Sequence, residues 1–251
     1  MSEAHPPAVI FDVDGTLVDS ERDGHRVAFN LAFEEFDLPY RWDVEEYGQL
    51  LRTTGGQRRI DRYLSSQGVD EEERARLAPN LHARKTELMN ELVEDGRVEV
   101  RPGAKRLLAE LTESGSRLGV ATTGSRGWVE RLLRRLLADF EFDVIVTGDE
   151  VENRKPDPEA FVVALERLDL PAGEAVVVED SAEGVEAATA AGLACAVVVN
   201  GYTRDHDLAA AGLVLDGFGE PDAPAEVIAD RAGTGCRGVL DAAVLARLAG
   251  N

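Results

Sequence analysis

The sequence predicts an α/β protein whose core is a parallel sheet with helices on both faces. Beyond residue 100, short runs that are apolar throughout alternate with stretches of helical periodicity. Strands that are apolar on both sides are buried on both sides, and connection through helices is typical of parallel sheets. Residues 22–95 differ, because they are rich in Arg and Glu and show helical periods without a convincing strand. We therefore predict a Rossmann-like three-layer core with an inserted, all-helical second domain.

The first predicted strand lies at residues 8–12, and the others follow the insert. The later apolar runs are rich in valine, and they lie at 118–121, 144–147, 175–179 and 196–199. Helices are expected between them, from apolar positions three and four residues apart, at 103–115, 127–138, 157–168 and 182–191. Pro102 supports a return to the core at this point, because proline suits the first turn of a helix. The core is thus assigned to residues 1–21 and 96–251, and the insert to residues 22–95.

Composition narrows the class of protein further. The chain has 48 acidic and 27 basic residues and a net charge of −21, which argues against binding to the phosphates of nucleic acids. No stretch approaches the roughly 20 apolar residues of a membrane helix, and the N-terminus lacks the basic and apolar regions of a signal peptide. Two cysteines do not imply a disulfide framework. We expect a cytoplasmic protein without nucleic-acid or membrane partners, and a monomer, although the sequence leaves an oligomer open.

The basic residues are unevenly divided, since three are lysine and 24 are arginine. An acidic surface with little lysine is typical of proteins that work in concentrated salt. Salt screens the self-repulsion of such a surface, because the Debye length falls to about 3 Å at 1 M. We therefore expect a halophilic protein whose folding weakens at low salt.

Asp12 and Asp14 follow the first predicted strand directly. Residues two apart at the end of a strand project to the same side, and two carboxylates so placed repel each other unless a cation lies nearby or a proton is shared. The pair therefore suggests a Mg²⁺ site with one carboxylate left to attack phosphorus. Taken alone, the same residues also fit a strand end followed by an Asp-Gly turn.

Polar residues at other strand ends favour the catalytic interpretation. In open parallel sheets, sites form beyond the carboxyl ends of the strands, and those ends or the loops that follow them carry Thr122, Lys155, Glu179 and Asp180. Each has an alternative structural role: Thr122 could cap the next helix, Lys155 could be a surface lysine, and the acidic pair could cap the helix near Ser181. Together with the Asp12–Asp14 pair, these residues make four signals at one edge of the sheet, and jointly they favour a functional site.

This constellation resembles the haloacid dehalogenase (HAD) superfamily of phosphotransferases. The matching motifs are the Asp12–Thr16 segment, Thr122, Lys155 with Pro156, and Glu179 with Asp180. The insert is similar to the helical cap of CbbY-type proteins, on the segments 25–30, 42–47, 50–60 and 85–87. The resemblance implies a Mg²⁺-dependent phosphatase for a phosphorylated sugar, with xylulose-1,5-bisphosphate as the expected substrate. Two other activities stay open, a phosphomutase of the beta-phosphoglucomutase kind and a phosphoglycolate phosphatase, as does a non-catalytic ligand-binding role.

The resemblance also implies roles for the core residues. Asp12 is the expected nucleophile, and Asp14 the expected general acid and base. Mg²⁺ would be bound by Asp12, Asp14 and Asp180, with Glu179 as a further ligand or its neighbour. Thr122 and Lys155 would bind the charge that spreads over the transferred oxygens. The candidate substrate residues, with Arg59 and Lys85 for a second phosphate, are Thr16, Glu21, His25, Gly55, Gly56, Arg59, Lys85 and Thr123.

Overall fold

A mixed sheet organises the core in the computed structural model, which describes residues 5–53 and 55–250. The described strands are β1 (Ala8–Phe11), β2 (Arg117–Ala121), β3 (Val144–Val146), β4 (Ala175–Glu179), β5 (Ala194–Val198), β6 (Leu213–Leu215) and β7 (Val227–Asp230). Their order is β3-β2-β1-β4-β5-β6-β7. Strands β1 to β6 are parallel, and β7 pairs antiparallel with β6. The α/β class and the Rossmann-like core are confirmed.

The helices follow in chain order between and beyond the strands. They are α1 (Arg26–Glu35), α2 (Val44–Leu50), α3 (Gly56–Ser66), α4 (Glu71–Glu94), α5 (Ala104–Ser114), α6 (Arg126–Leu136), α7 (Glu159–Leu168), α8 (Ala182–Ala190) and α9 (Ala242–Ala249). A π-helical turn at Glu21–His25 precedes α1, and a 3₁₀ turn at Ala172–Glu174 precedes β4. Among the described residues, no helix combines the length and apolarity needed to cross a membrane.

Helices cover both faces of the sheet. On one face, α7 and α8 pack against each other, and an apolar cluster joins Phe161 and Val185 to Ile10 and Val177 of the strands. On the other, α5 and α9 pack against each other and on β2, β4 and β5. The alternation of strand residues between the two layers explains why β1 and β4 are apolar at successive positions.

The C-terminal part of the sheet differs from the sequence prediction. The prediction contained at least five parallel strands; the described sheet adds the parallel strand β6 and, as the one departure from a parallel sheet among the described strands, the antiparallel edge strand β7. β6 has three residues, and β7 has four that are only partly buried, with Ile228 42% exposed. A strand as short as β6, or as exposed as β7, does not produce the longer apolar run that identifies a buried strand.

The chain divides into two compact units, with boundaries between Asp19 and Ser20 and between Glu99 and Val100. The sequence pattern predicted the first boundary after residue 21, which is two residues later, and the second after residue 95, which is four residues earlier. The first differs because the turn that starts at Glu21 continues directly into α1. At the second, Val98 lies against Gly24 of that turn, so the chain after α4 still packs with the insert.

The insert has its own core in which α1 and α3 pack on α4. Its aromatic side chains contact one another, for example Phe29 and Phe33 with Trp42 at centroid distances of 4.8 and 4.9 Å. Asp43 and Asp70 begin α2 and α4 by accepting backbone N–H groups three residues ahead. These caps satisfy N–H groups that a helix leaves without an internal partner.

Candidate active site

The candidate site lies at the carboxyl ends of three neighbouring strands. β1 is between β2 and β4, so Asp12 after β1 is flanked by Thr122 after β2 and by Glu179 at the end of β4. The backbone N–H of Asp12 donates to the carbonyl of Val178 at 3.0 Å, which extends the β1–β4 pairing by one residue. The sheet thereby fixes the backbone that carries Asp12.

Lys155 joins the ends of all three strands through one ammonium group. Its Nζ lies 2.8 Å from Oδ1 of Asp12 and 2.6 Å from Oε1 of Glu179, and it donates to the carbonyl of Ala121 at 2.8 Å. Its side chain is 5% exposed, and that of Glu179 is 1% exposed. Burial lowers the pKa of Lys155, but attraction to Asp12 and Glu179 outweighs it and raises the pKa above its ordinary value. The lysine is therefore charged throughout the neutral range.

Asp12 is buried beside other acids. Burial, together with repulsion from Glu179 and Asp14, raises its pKa to about 7 despite the attraction of Lys155. An additional cation would lower that pKa and favour the ionised carboxylate, which is the nucleophilic form.

Glu179 uses both carboxylate oxygens within the protein. One accepts from Lys155, and the other accepts from the N–H groups of Asp180 and Ser181 at 2.9 and 3.2 Å and from the Ser181 hydroxyl at 3.0 Å. These contacts make Glu179 a support for Lys155 and for the start of α8. Of the two roles predicted for Glu179, metal ligand or neighbour of a ligand, they favour the second.

Asp180 is held by two polar side chains that the chain brings from distant positions. Thr16 donates to one carboxylate oxygen at 3.2 Å, and Asn200 donates to the other at 2.8 Å. Burial and repulsion from Glu179 and Asp12 raise the pKa of Asp180, against the attraction of Arg101. Thr16 was predicted as a candidate substrate residue, and in the structure its hydroxyl donates to Asp180.

Gly15 allows the loop after β1 to approach Asp180. Its φ is +91°, and a Cβ atom there would lie 2.6 Å from Oδ2 of Asp180. Arg101 anchors the same loop by donating to the carbonyl of Gly15 at 2.6 Å and to the carbonyls of Val198 and Val199 at 2.8 and 2.7 Å. A side chain at position 15 would therefore displace either the loop or the acid.

Asp14 is partly buried and accepts a hydrogen bond from Nε1 of Trp128 at 3.3 Å.

Thr122 is 1% exposed, and its hydroxyl accepts the N–H of Gly124 at 3.2 Å. Ser125, rather than Thr122, occupies the N-cap position of α6. The structure thus places Thr122 in a turn at the end of β2, while the neighbouring Thr123 is exposed.

Sequence reasoning gave no role to Asn200, Arg101 or Trp128. Asn200 follows the end of β5 closely, so the rule that located the other site residues at strand ends would have found it. Arg101 and Trp128 act through the fold, since one reaches three backbone carbonyls and the other reaches Asp14 from a helix. No local sequence pattern marks such long-range contacts.

The carboxylates of this site fit a Mg²⁺ ion whose coordination is completed by oxygens of other groups. Within the described residues, no three Asp, Glu, His or Cys side chains are grouped closely enough to hold a metal by themselves. Mg²⁺ is commonly bound by one or two carboxylates together with waters and substrate phosphate. The raised pKa values of Asp12 and Asp180 indicate excess negative charge that such a cation would neutralise.

The insert contains a second cluster of predicted residues. Arg59 is 8% exposed and donates to the Tyr47 hydroxyl at 3.1 Å, and that hydroxyl donates to Glu21 at 2.5 Å. Lys85 is 7% exposed, with Nζ 2.7 Å from Nδ1 of His25. Two buried cations on neighbouring helices form the basic centre of this cluster.

Gly55 and Gly56 begin α3 near the same cluster. Gly55 is the N-cap residue at φ +86°, and its carbonyl accepts the N–H of Arg59 at 2.9 Å. A Cβ atom on Gly56 would lie 2.7 Å from the ring of His82. Burial, followed by the charges of Lys85, His25 and Arg59, lowers the pKa of His82. Thr54, in the predicted 50–60 segment, lies outside the described residues.

Comparison with known proteins identifies the family. The model of the haloacid dehalogenase-like hydrolases matches residues 9–198. Protein CbbY of Cereibacter sphaeroides is 44% identical over 220 residues, which cover 85% of this chain and 93% of that protein. The phosphorylated carbohydrates phosphatase of Thermotoga maritima is 35% identical over 188 residues, or 74% of this chain and 82% of that protein.

A solved structure extends the comparison to three dimensions. It is a CbbY mutant from Rhodobacter sphaeroides in complex with xylulose-(1,5)bisphosphate, and it is 42% identical with a TM-score of 0.75. The alignment covers 84% of this chain and 94% of that one. The extent of these matches and the shared fold show that this chain belongs to the haloacid dehalogenase-like hydrolases and, within them, to the CbbY-like proteins.

Proposed function

We propose that the protein is a Mg²⁺-dependent phosphatase that hydrolyses a phosphorylated sugar through an aspartyl-phosphate intermediate, with a bisphosphate such as xylulose-1,5-bisphosphate as substrate. The observation that carries this proposal is the buried Asp12 carboxylate, which lies 2.8 Å from Lys155 at the edge of the sheet. An oriented carboxylate beside a fixed positive charge suits attack on a phosphoryl group. Family membership supports the same reaction class.

In the first step, an oxygen of Asp12 forms a bond to phosphorus while the bond from phosphorus to the sugar oxygen breaks. Asp14 gives its proton to the departing oxygen, which leaves as a sugar hydroxyl. Lys155 and Thr122 bind the negative charge on the transferred oxygens. The contacts of Lys155 with Asp12 and Ala121 hold its ammonium group in place before the substrate arrives.

In the second step, Asp14, now ionised, takes a proton from a water molecule that attacks the phosphorus. The bond to Asp12 breaks, inorganic phosphate leaves, and Asp14 is again protonated. Mg²⁺, held by Asp12, the backbone carbonyl of Asp14 and Asp180, would neutralise part of the negative charge that gathers in both steps. Thr16 and Asn200 keep Asp180 oriented for that role through their hydrogen bonds.

Arg59 and Lys85 support the choice of a bisphosphate. A protein with a net charge of −21 repels an anionic substrate unless positive charge is concentrated locally. Both cations are buried, and Arg59 can present two N–H groups to one phosphate. We assign the second phosphate to this pair, and sugar hydroxyls to Glu21 and His25.

A panel of sugar monophosphates and bisphosphates, assayed with Mg²⁺ in molar salt for release of inorganic phosphate, tests the proposal. The expected result is release from a sugar bisphosphate with kcat/KM well above that for any monophosphate. A preference for phosphoglycolate would overturn the proposed substrate. Formation of an isomeric sugar phosphate without free phosphate would show that the enzyme is a mutase. Absence of turnover on the whole panel would contradict the enzymatic role.

A further inference from the structure

We propose that Trp128 is a positioning residue for Asp14, holding this carboxyl group in the orientation needed to protonate the leaving oxygen. The inference rests on the proposed role of Asp14 as general acid. Trp128 is 8% exposed, and its Nε1 donates to Oδ2 of Asp14 at 3.3 Å. A tryptophan N–H can only donate, so this contact holds Oδ2 as an acceptor.

The chain leaves room for this contact at Gly124. A Cβ atom on Gly124 would lie 3.2 Å from Cδ1 of Trp128 and 3.4 Å from Oδ2 of Asp14. A side chain at this position would therefore meet both partners of the hydrogen bond. Glycine lets the indole and the carboxylate lie against the same piece of backbone.

The helix that carries Trp128 is anchored at its first turn. The N–H of Arg126 donates to Asp149 at 2.8 Å, and its guanidinium pairs with Glu130 and Glu150. Glu150 in turn accepts the N–H and the hydroxyl of Thr147, each at 3.0 Å. The loop after β3 thus fixes the start of α6, and with it the position of the indole.

A fixed donor on Oδ2 sets the plane of the carboxyl group. General acid catalysis depends on a proton that lies within hydrogen-bond reach of the departing oxygen, and misplacement of the acid lowers the rate of that transfer. Loss of the donor should matter most when the leaving group cannot depart without a proton. A sugar alkoxide needs that proton, whereas p-nitrophenolate leaves as a stable anion.

The test compares kcat/KM for xylulose-1,5-bisphosphate, or the best sugar phosphate of the panel, with kcat/KM for p-nitrophenyl phosphate. kcat/KM reports the step that transfers phosphorus to Asp12, before the water attack. Trp128→Phe should lower kcat/KM for the sugar phosphate by about 10- to 100-fold. This is less than the roughly 10²- to 10⁴-fold effect of a general acid, because the acid itself is kept. For p-nitrophenyl phosphate the expected loss is below about threefold. Asp14→Asn is the reference and should show the same selectivity with a larger loss.

An equal loss on both substrates, or no loss on either, would overturn the role of Trp128. If Trp128→Phe does not fold, benzothienylalanine at position 128 keeps the two-ring shape and replaces only the N–H group, with the same expected selectivity. Failure of the proposed function would look different, because Asp14→Asn would then lack the selectivity or the wild type would release no phosphate. Selectivity in Asp14→Asn without selectivity at position 128 contradicts this inference alone.

Discussion

Nζ of Lys155 lies 2.8 Å from Oδ1 of Asp12, so the proposed nucleophile and its nearest cation form a buried ion pair. Lys155 also bonds Glu179 at 2.6 Å, and the two acids share one positive charge. Breaking such a pair by removing one partner leaves an uncompensated buried charge. The arrangement therefore links the proposed chemistry to the stability of the core.

Asp12→Asn should abolish turnover, because an amide is a poor nucleophile and cannot form the acyl phosphate. We expect a fall of about a thousandfold or more in phosphate release with Mg²⁺. Circular dichroism should show an unchanged fold, since asparagine has nearly the same shape. Normal activity of the folded variant would show that another group attacks phosphorus.

Asn200→Ala should weaken the apparent affinity for Mg²⁺, because it removes the donor that orients Asp180 at 2.8 Å. Loss of a group that orients a metal ligand typically costs about 10- to 100-fold in affinity. A titration of phosphatase activity against Mg²⁺ concentration measures the shift. Asn80→Ala, on the exposed face of α4, is the matched control and should leave the titration unchanged. An unchanged titration for Asn200→Ala would contradict the proposed role of Asn200 in orienting Asp180 for the metal.

The sequence predicted the residues at the strand ends because their placement follows from topology. Once a parallel sheet is inferred, Asp12, Thr122 and Glu179 must lie near one edge, and the structure places them there. Their catalytic roles stay predictions. Asn200 lies just after β5, so the same rule would have placed it at this edge of the sheet, but it would not have predicted its bond to Asp180. That bond, and the bond of Trp128 to Asp14, depend on how β5 and α6 pack in the folded core.

Arg59→Met should reduce discrimination in favour of the bisphosphate. A charge-assisted bond to phosphate contributes about 1.5–3 kcal/mol, which corresponds to roughly 10- to 100-fold in kcat/KM. We expect that loss for the bisphosphate and a much smaller change for a monophosphate. Arg58→Met is the matched control, because Arg58 is the exposed neighbour in the same helix. Equal losses on both substrates would point to a structural role for Arg59 through its bonds to Tyr47 and Leu50.

Glu150 should stabilise the fold in a pH-dependent manner. Burial raises its pKa, but hydrogen bonds from Thr147, Arg167 and Arg126 outweigh that effect and lower it to about 2 from 4.5. A carboxyl group whose pKa is lower in the folded than in the unfolded state stabilises the fold at pH values above its unfolded pKa. For Glu150 this contribution is lost as the pH falls from about 4.5 towards 2.

The measurement is the difference in melting temperature between the wild type and Glu150→Gln. We expect the wild type to melt at a higher temperature than the variant at pH 7, and the difference to shrink at pH 3. The difference should be modest because the Glu150 side chain is 21% exposed. Glu166→Gln, an exposed residue of α7, should show little difference at either pH. A Glu150→Gln difference that does not change with pH would contradict the assignment.

Molar salt should stabilise the protein, because its net charge of −21 makes the folded state repel itself. Salt also weakens surface ion pairs such as that of Arg84 with Glu35, but each exposed pair contributes only about 0–1 kcal/mol. Repulsion among 48 acidic residues should therefore dominate, and we expect the melting temperature to rise by about 5 °C or more between 0.05 and 2 M NaCl. Reversing three exposed acids, as Glu72→Lys, Glu113→Lys and Asp222→Lys together, changes the net charge to −15 and should flatten this dependence. A wild-type melting temperature that does not respond to salt would refute halophilic stabilisation, and an equal rise in the triple variant would assign the effect to general exclusion of salt from the protein surface.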